Sequence, residues 1–539
     1  MDGGVPAPAP VGPPASAVRF MSDVAPAARP RRARRAVPLA PLTRAALPWV
    51  HRAPNAPYFV LDDGTPWTPV GANESVTWPE LAGLLRRRDL PGVEAHLRRL
   101  RAHGVTVLRL MLEYAQGQRY YFERPAGTFV PHVVQLWDDL FALCERVGMR
   151  ILLTPYDTFF HWIRWRHHPY NARHGGPCAD RSRLMVCPDT RGFVKRRLAF
   201  AAERWGGSGA LFAWDLWNEL HPAQGDNDYF GIWGFVSELS EHVRELETRI
   251  HGRAHPQTVS VFGPELLWKP ELAELIFRHP GLDFASSHFY AEGTIDSPRD
   301  TVAPAVAAGQ LVKDALAEVH DGRPFFESEH GPIHTFKDRG VTLPADFDDE
   351  YFRHVQWAHV ASGGAGGGMR WPNRSPHALT PGMREAQRVL SAFLPLVDWP
   401  AFRRTVLNGR IVVRDAESGA PLRLASAEPH TPPGHPPVVP MQGCEAAAFA
   451  CGDDAQAVAF VLRADALADD GRVRRDVRPR AVRVEVPGLA PGRYTVTEWD
   501  PVVGGVRGVR EVQHAGGAAL GAGPLALRAD AVLVLRRVG

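Results

Sequence analysis

Cysteine and net charge are what this chain of 539 residues has least of: five cysteines in all, and a balance of only +3. Cys144, Cys178, Cys187, Cys444 and Cys451 form an odd, scattered set, which excludes a disulfide-stapled scaffold and fits a reducing compartment. Cys178 and Cys187 share one loop rich in Pro, Arg and Asp and could pair if the protein were exported. No Cys or His spacing matches a structural zinc site. The small net charge gives no footing for a nucleic-acid partner, and the one dense basic run, RRARR at 31–35, reads as a solvated tail segment. No run approaches 18 apolar residues, so no membrane span is expected. The apolar stretch after those arginines is broken by Pro and Arg, so no secretory leader is recognised and a cytoplasmic location is the expectation. Residues 1–50 also lack any sustained apolar period. Rich in Pro, Ala, Gly and Arg, they cannot bury enough surface to offset their ordering entropy, and a disordered tail is predicted.

What is present begins near residue 58. Short β-rich runs at 66–72, 105–111, 149–155, 211–216, 258–263, 282–288, 324–329 and 364–371 alternate with helix-like stretches. The helical segments are predicted at 78–103, 134–147, 190–204, 230–251, 270–278, 303–319, 349–361 and 381–394. Eight such units predict a (β/α)8 barrel over 51–400. Beyond it, short β-rich segments separated by Gly, Pro and Asp predict a C-terminal β-sandwich over 401–539.

Chemistry in such a barrel gathers at the C-terminal ends of the strands. "LFAWDLWNEL" places Asn218 and Glu219 just past the fourth strand, after a hydrophobic run broken only by Asp215. "GRPFFESEHGP" places Glu329 at the end of the seventh. Two strand-end carboxylates across a small barrel can flank one bond, as glycosidic hydrolysis requires. Arg109 ends the second strand, where it could keep a carboxylate ionised. His288 and Tyr290 in "SSHFY" alternate onto one face after the sixth, and Trp371 closes the eighth. Each has a packing alternative; a lone Trp is more often core than a sugar platform.

On these residues the chain resembles the family 5-type glycoside hydrolases, cellulase- and mannanase-like enzymes of the retaining (β/α)8 clan A. The matching stretches are LDDGTPWTPVGAN at 61–73, GVTVLRL at 104–110, WNE at 217–219, HFY at 288–290 and PFFESEHG at 324–331. The resemblance covers about 58–395 and implies hydrolysis of β-linked O-glycosides by double displacement, with no cofactor. It implies Glu219 as acid/base and Glu329 as nucleophile. Asn218 would bond the substrate 2-hydroxyl, Arg109 and Tyr290 would contact Glu329, His288 would lie near the acid, and Trp371 would stack beneath a sugar. A retaining pair requires carboxyl groups roughly 5–5.5 Å apart, against about 6.5–9.5 Å for an inverting one. Glu219 should titrate high through partial burial and the charge of Glu329.

Two stretches depart from the pattern. Tyr156 and Asp157 follow the third strand where relatives carry a histidine pair or another polar group, and Glu327 stands where an apolar residue is usual. Period-two alternation puts Glu327 on the face of Glu329, one layer below, paired with Arg109 or Arg370 or carrying a proton. The long loop 156–185 carries Asp157, Trp162, Trp165 and His168 and is expected to shape the substrate pocket. The partner implied is an oligo- or polysaccharide or a small glycoside, with β-mannoside suggested by the GAN opening of the first strand and β-glucoside beside it. The second class of reading is a non-catalytic carbohydrate-binding barrel, which would be expected to have lost Glu219 or Glu329. A metal-dependent barrel hydrolase is a further one, given 23 histidines. "RWRHHPYNARHGG" at 164–176, Arg-rich and Pro-broken, suits a wet substrate loop better than a cation cage.

Overall fold

A parallel strand ring organises the computed structural model, which describes residues 47–113, 121–291, 293–333, 342–428 and 439–538. The tail predicted over 1–50 lies, up to residue 46, outside the described residues. An antiparallel ribbon, β1 (Val50–Arg52), β2 (Phe59–Leu61) and β3 (Pro66–Trp67), leads into β4 (Gly71–Asn73). β5 (Val107–Met111), β6 (Arg150–Thr154), β7 (Leu211–Asp215) and β8 (Gln257–Thr258) follow β4 in order, each parallel to the last. β9 (Ala285–Phe289) and β10 (Phe325–His330) form a second parallel pair, joined to the first set by a bridge between Phe262 and His288.

The eighth strand predicted at 364–371 does not form as a regular strand. Gly364, Gly366, Gly367 and Gly368 make extended pairing entropically expensive, and the stretch closes the ring by single bonds instead. Ala365 N–H donates to Phe325 O at 2.7 Å, and Gly71 N–H to Gly367 O at 2.9 Å. Gly71 itself is demanded by this closure, since a Cβ there would stand 1.7 Å from Met369 Sδ.

Helices α1 (Leu90–Ala102), α2 (Pro131–Val147), α3 (Thr158–Arg164), α4 (Pro188–Trp205), α5 (Tyr229–His251), α6 (Glu265–Trp268), α7 (Ala303–Glu318), α8 (Ala345–Ala361) and α9 (Pro381–Phe393) surround the ring. The helix predicted over 78–103 becomes two pieces. Asp89 caps α1 by accepting from Gly92 N–H, Pro91 suits its first turn, and a kinked 3-10 segment, Ala82–Arg87, precedes it. The segment predicted at 270–278 shortens to a π turn, Glu274–Arg278. Among the described residues no helix is long and apolar enough to cross a membrane.

The ring interior is layered. At its base Phe59 packs edge-on against Phe212, Phe284 and Phe326, sealing that end with apolar rings. Above them come Asn73, Arg109, Thr154, Asp215, Ser260, Ser286 and Ser328, all buried and polar. Polar groups therefore concentrate at the strand ends.

Past the barrel lie two sheets, β11 (Thr405–Val406), β13 (Ala446–Gly452), β14 (Gln456–Arg463), β19 (Asp530–Arg537), β16 (Gly492–Asp500) and β17 (Gly505–His514) in one, with β12 (Val412–Asp415), β15 (Arg480–Val486) and β18 (Leu520–Leu527) in the other. β14 reads as a continuous apolar run because both its faces are covered. Ala457, Ala459 and Val461 meet the small sheet, while Val458, Phe460 and Leu462 join a core with Trp357 of α8 and Phe393 of α9.

A buried ion cluster crosses the same boundary. Asp530 Oδ2 lies 2.7 Å from Arg475 Nη2, 3.4 Å from Arg353 Nη2 and 3.5 Å from His354 Nε2. Burial opposes the Asp530 charge, yet His354, Arg353 and Arg475 hold its carboxyl well below the usual range. Asp530→Ala should therefore cost about 3 kcal/mol in urea unfolding, because Arg353 and His354 stay buried with much of their counter-charge gone. A folded pKa below the unfolded one stabilises above the unfolded value and is lost as pH falls, so the penalty should shrink in acid. A variant with unaltered stability at pH 7 would contradict this account of the boundary.

Candidate active site

Arg109 stands at the middle of β5, fully buried, and its guanidinium ties that strand to residues at the ends of β4, β7 and β10. Nη1 donates to Glu329 Oε2 at 3.0 Å and to Asn73 Oδ1 at 3.2 Å. Nη2 donates to Asp215 Oδ2 at 2.9 Å and to Asn218 Oδ1. Burial works against the Arg109 charge, but Asp215 and Glu329 keep it protonated. Asp215 Oδ2 also accepts from Ser260 Oγ at 3.0 Å and Thr154 Oγ1 at 3.2 Å. Asn73 donates to the carbonyls of Ser328 and Met369, so the GAN opening serves the ring closure.

In the sequence Asp215 stands out only as an interruption, and Asn73, Thr154 and Ser260 carry no such mark. A charge inside an otherwise apolar strand, on the alternation that faces the barrel interior, was the available signal.

Glu219 is held by its own backbone. After β7 the chain keeps pairing on both sides, Asn218 N–H to Tyr156 O at 2.8 Å and Leu220 N–H to Ser260 O at 2.9 Å. Between them Glu219 takes a φ of 48°, the left-handed region that a side-chain-bearing residue rarely occupies. That backbone strain is over-determined by the flanking pairs and sets where the carboxyl projects.

Glu329 reaches the interior by a different device. The β9–β10 register shifts between Glu327 and Glu329. Ser328 bonds Ser286 inside the ring at 2.6 Å, and the bulge turns the next residue inward as well. Tyr290 OH donates to Glu329 Oε1, so both carboxylate oxygens have donors.

The two carboxyls meet over His288. Its Nδ1 lies 2.7 Å from Glu219 Oε1 and 3.6 Å from Glu329 Oε2, and the three ligating atoms are all within 4.8 Å of one another. Burial raises the Glu219 carboxyl to about 7 against the pull of Arg109, with Glu265 and Asp215 adding to the rise. The expected push from Glu329 falls instead on Glu329 itself. Burial and the Glu219 charge raise it, while His288, Arg109 and Tyr290 oppose them. The donors differ: Glu329 has a guanidinium and a phenol, Glu219 only an imidazole. Burial lowers His288 to about 4.

Among the described residues this trio is also the one set of His, Cys, Asp or Glu ligand atoms close enough to hold a metal ion. The Arg109 cation 3.0 Å from Glu329 opposes such an ion.

The other expected residues divide. Trp371, 5% exposed, packs edge-on to Trp78 at 5.0 Å beside Met111. Trp162 is half-buried against His221, ring centroids 4.6 Å apart, two residues beyond Glu219. Trp165 stacks on the buried His168, which pairs with Glu113 at 3.5 Å. Asp157 was expected to face substrate, but its oxygens are given to the protein. It accepts from Asn218 Nδ2 at 2.6 Å and caps α3 through the N–H groups of Phe159 and Phe160. Burial raises its carboxyl to about 7. Cys178 and Cys187 are free thiols.

Glu327 corrects the strand-period reading. With Phe326 and Ser328 inside the ring, Glu327 faces the layer beneath α8, where His330 Nδ1 is 3.2 Å away. Its N–H donates to His359 Nε2 at 3.1 Å. Neither expected arginine reaches it, since Arg370 pairs with Asp348 at 2.8 Å. Burial raises Glu327 to about 8, so it carries a proton at neutral pH.

No protein-family profile and no curated protein matches the chain. Solved structures similar to it include the following two. One, described as a glycoside hydrolase, has 13% identity and a TM-score of 0.52, with 92% of this chain and 99% of that one covered. The other, a glycoside hydrolase family 5 structure from Bacteroides vulgatus, has 12% identity and a TM-score of 0.52 over 92% and 95% of the two chains. The likeness is one of fold: a family 5-type (β/α)8 glycosidase barrel with a β-sandwich following it.

The Glu327 site makes a prediction about stability. Its folded pKa stands above the unfolded one, so the folded chain holds an extra proton between about pH 4.5 and pH 8 and loses stability as pH rises through that window. Glu327→Gln cannot ionise. Its unfolding free energy should gain on the parent by up to about 1.4 kcal/mol per pH unit there. Parallel stability curves would show that Glu327 is ionised and paired.

Proposed function

We propose that the chain hydrolyses β-linked O-glycosidic bonds with retention, Glu219 serving as acid/base and Glu329 as nucleophile. The carrying observation is the approach of the Glu219 and Glu329 oxygens to within 4.8 Å. That is far short of the roughly 6.5–9.5 Å an inverting pair needs to admit water. In the first step Glu219 gives its proton to the departing oxygen while Glu329 attacks the anomeric carbon. Arg109 and Tyr290 keep the attacking carboxylate charged and oriented. In the second step Glu219, now ionised, takes a proton from water, which displaces Glu329 from the sugar. Asn218, held by Arg109 and Asp157, would meet the 2-hydroxyl with its remaining amide hydrogen. Trp371 offers the apolar floor. The sugar favoured by the resemblance is a β-mannoside or β-glucoside.

Because Glu219 must be protonated to act, kcat/KM should fall as pH rises through about 7. Glu219→Ala should slow glycosides with poor leaving groups by about 10²–10⁴. Activated aryl glycosides, which leave without a proton, should suffer far less and be rescued by azide. Equal losses on both substrate types, or inverted anomeric product in an NMR time course, would refute the assignment. A non-catalytic sugar-binding barrel would show binding with no turnover of any glycoside.

A further inference from the structure

The loop that follows β6 carries charge of one sign. Between residues 158 and 185 stand Arg164, Arg166, Arg173, Arg181 and Arg183, against the single acid Asp180. Asp180 is spent as a cap on Ser182 N–H, and Arg183 leans on Asp226 at 3.4 Å. Among the described residues no carboxylate comes within ion-pair distance of Arg166 or Arg173, both exposed. The cations act on one another. Burial and then the positive charges of Arg166, His174, Arg164 and Arg124 push the His167 imidazole down. Gathering like charges costs free energy that a mixed surface avoids, and the chain as a whole is nearly neutral. A solvated face has no need of such a concentration.

Its position says what the charge faces. The Arg181 guanidinium lies 5.6 Å from the Trp162 ring and donates to Trp162 O at 3.1 Å. Trp162 packs against His221, two residues beyond Glu219. Trp162 and Arg181 thus stand beside the segment that carries the acid, and Arg166 and Arg173 belong to the same loop.

From this placement we infer that the leaving-group side of the substrate is an anionic glycan, its carboxylate or sulfate groups met by Arg166, Arg173 and Arg181 and a sugar face by Trp162. The inference rests on the glycosidase reading. Guanidinium pairs well with either anion through paired N–H donors.

Three matched β-1,4-linked oligosaccharides separate the cases: one neutral, one with its leaving-side sugars oxidised to uronates, one with them sulfated. The full chain should cleave at least one anionic form with kcat/KM about tenfold above the neutral one, and which form wins identifies the anion. Raising ionic strength from about 10 mM to about 150 mM cuts the screening length from roughly 30 Å to roughly 8 Å and should erase most of the preference. The triple variant Arg166→Gln, Arg173→Gln, Arg181→Gln should lose about tenfold more on the anionic oligosaccharide than on a neutral aryl glycoside. Equal rates on all three, or equal losses in the variant, would overturn the inference while leaving the glycosidase intact. If nothing is cleaved, the glycosidase reading fails, and calorimetry still decides this one. Tighter, arginine-dependent binding of the anionic oligosaccharide supports it, and equal binding overturns it. Arginine-dependent binding of a nucleic acid or anionic vesicle with no glycan preference would reassign the surface to another partner.

Discussion

One buried guanidinium holds the strand ends in place. Arg109 has no access to water, so its charge is tenable only while Asp215 and Glu329 flank it. The demand runs both ways. Asp215 and Glu329 would each be a buried anion without Arg109, and Asn73 and Asn218 take their orientation from it. β4, β5, β7 and β10 are thereby fixed to one another at the mouth of the ring, through polar contacts whose loss would leave uncompensated charge. The apolar base around Phe59 supplies the complementary constraint at the other end.

Two local irregularities convert that frame into an arrangement of carboxyls. A left-handed residue at Glu219 and a bulge before Glu329 each depart from regular strand geometry. Regular alternation would have presented other side chains. Each departure is held by hydrogen bonds on both sides, the condition under which strain persists at a site. The two carboxyls in that small volume differ in their donors, a guanidinium and a phenol for Glu329 and an imidazole for Glu219.

The alternation of strands and helices was legible because the apolar periods of the two differ, and the residues at 218, 219, 290 and 329 fall at or just past strand ends, with Arg109 and His288 inside β5 and β9. Where the reading failed, a local event broke the period. Glu327 was assigned inward because a bulge leaves no mark in composition. The eighth strand was expected to be regular, but its glycines yield isolated bridges. Asp157 looked like a pocket residue by position, yet the N-terminus of α3 takes its oxygens. Asp215 was visible as an anomaly, and its partner could be identified only once β5 and β7 were brought together.

The central claim is that Glu329, sustained as an anion by Arg109 and Tyr290, attacks sugar directly. A 2-deoxy-2-fluoro glycoside with an activated leaving group tests it most directly, because the fluorine slows breakdown of any covalent intermediate. Intact-protein mass spectrometry should show one added fluorosugar, and peptide mapping should place it on Glu329. An adduct on another carboxylate, or steady turnover with no adduct and inverted product, would contradict the account.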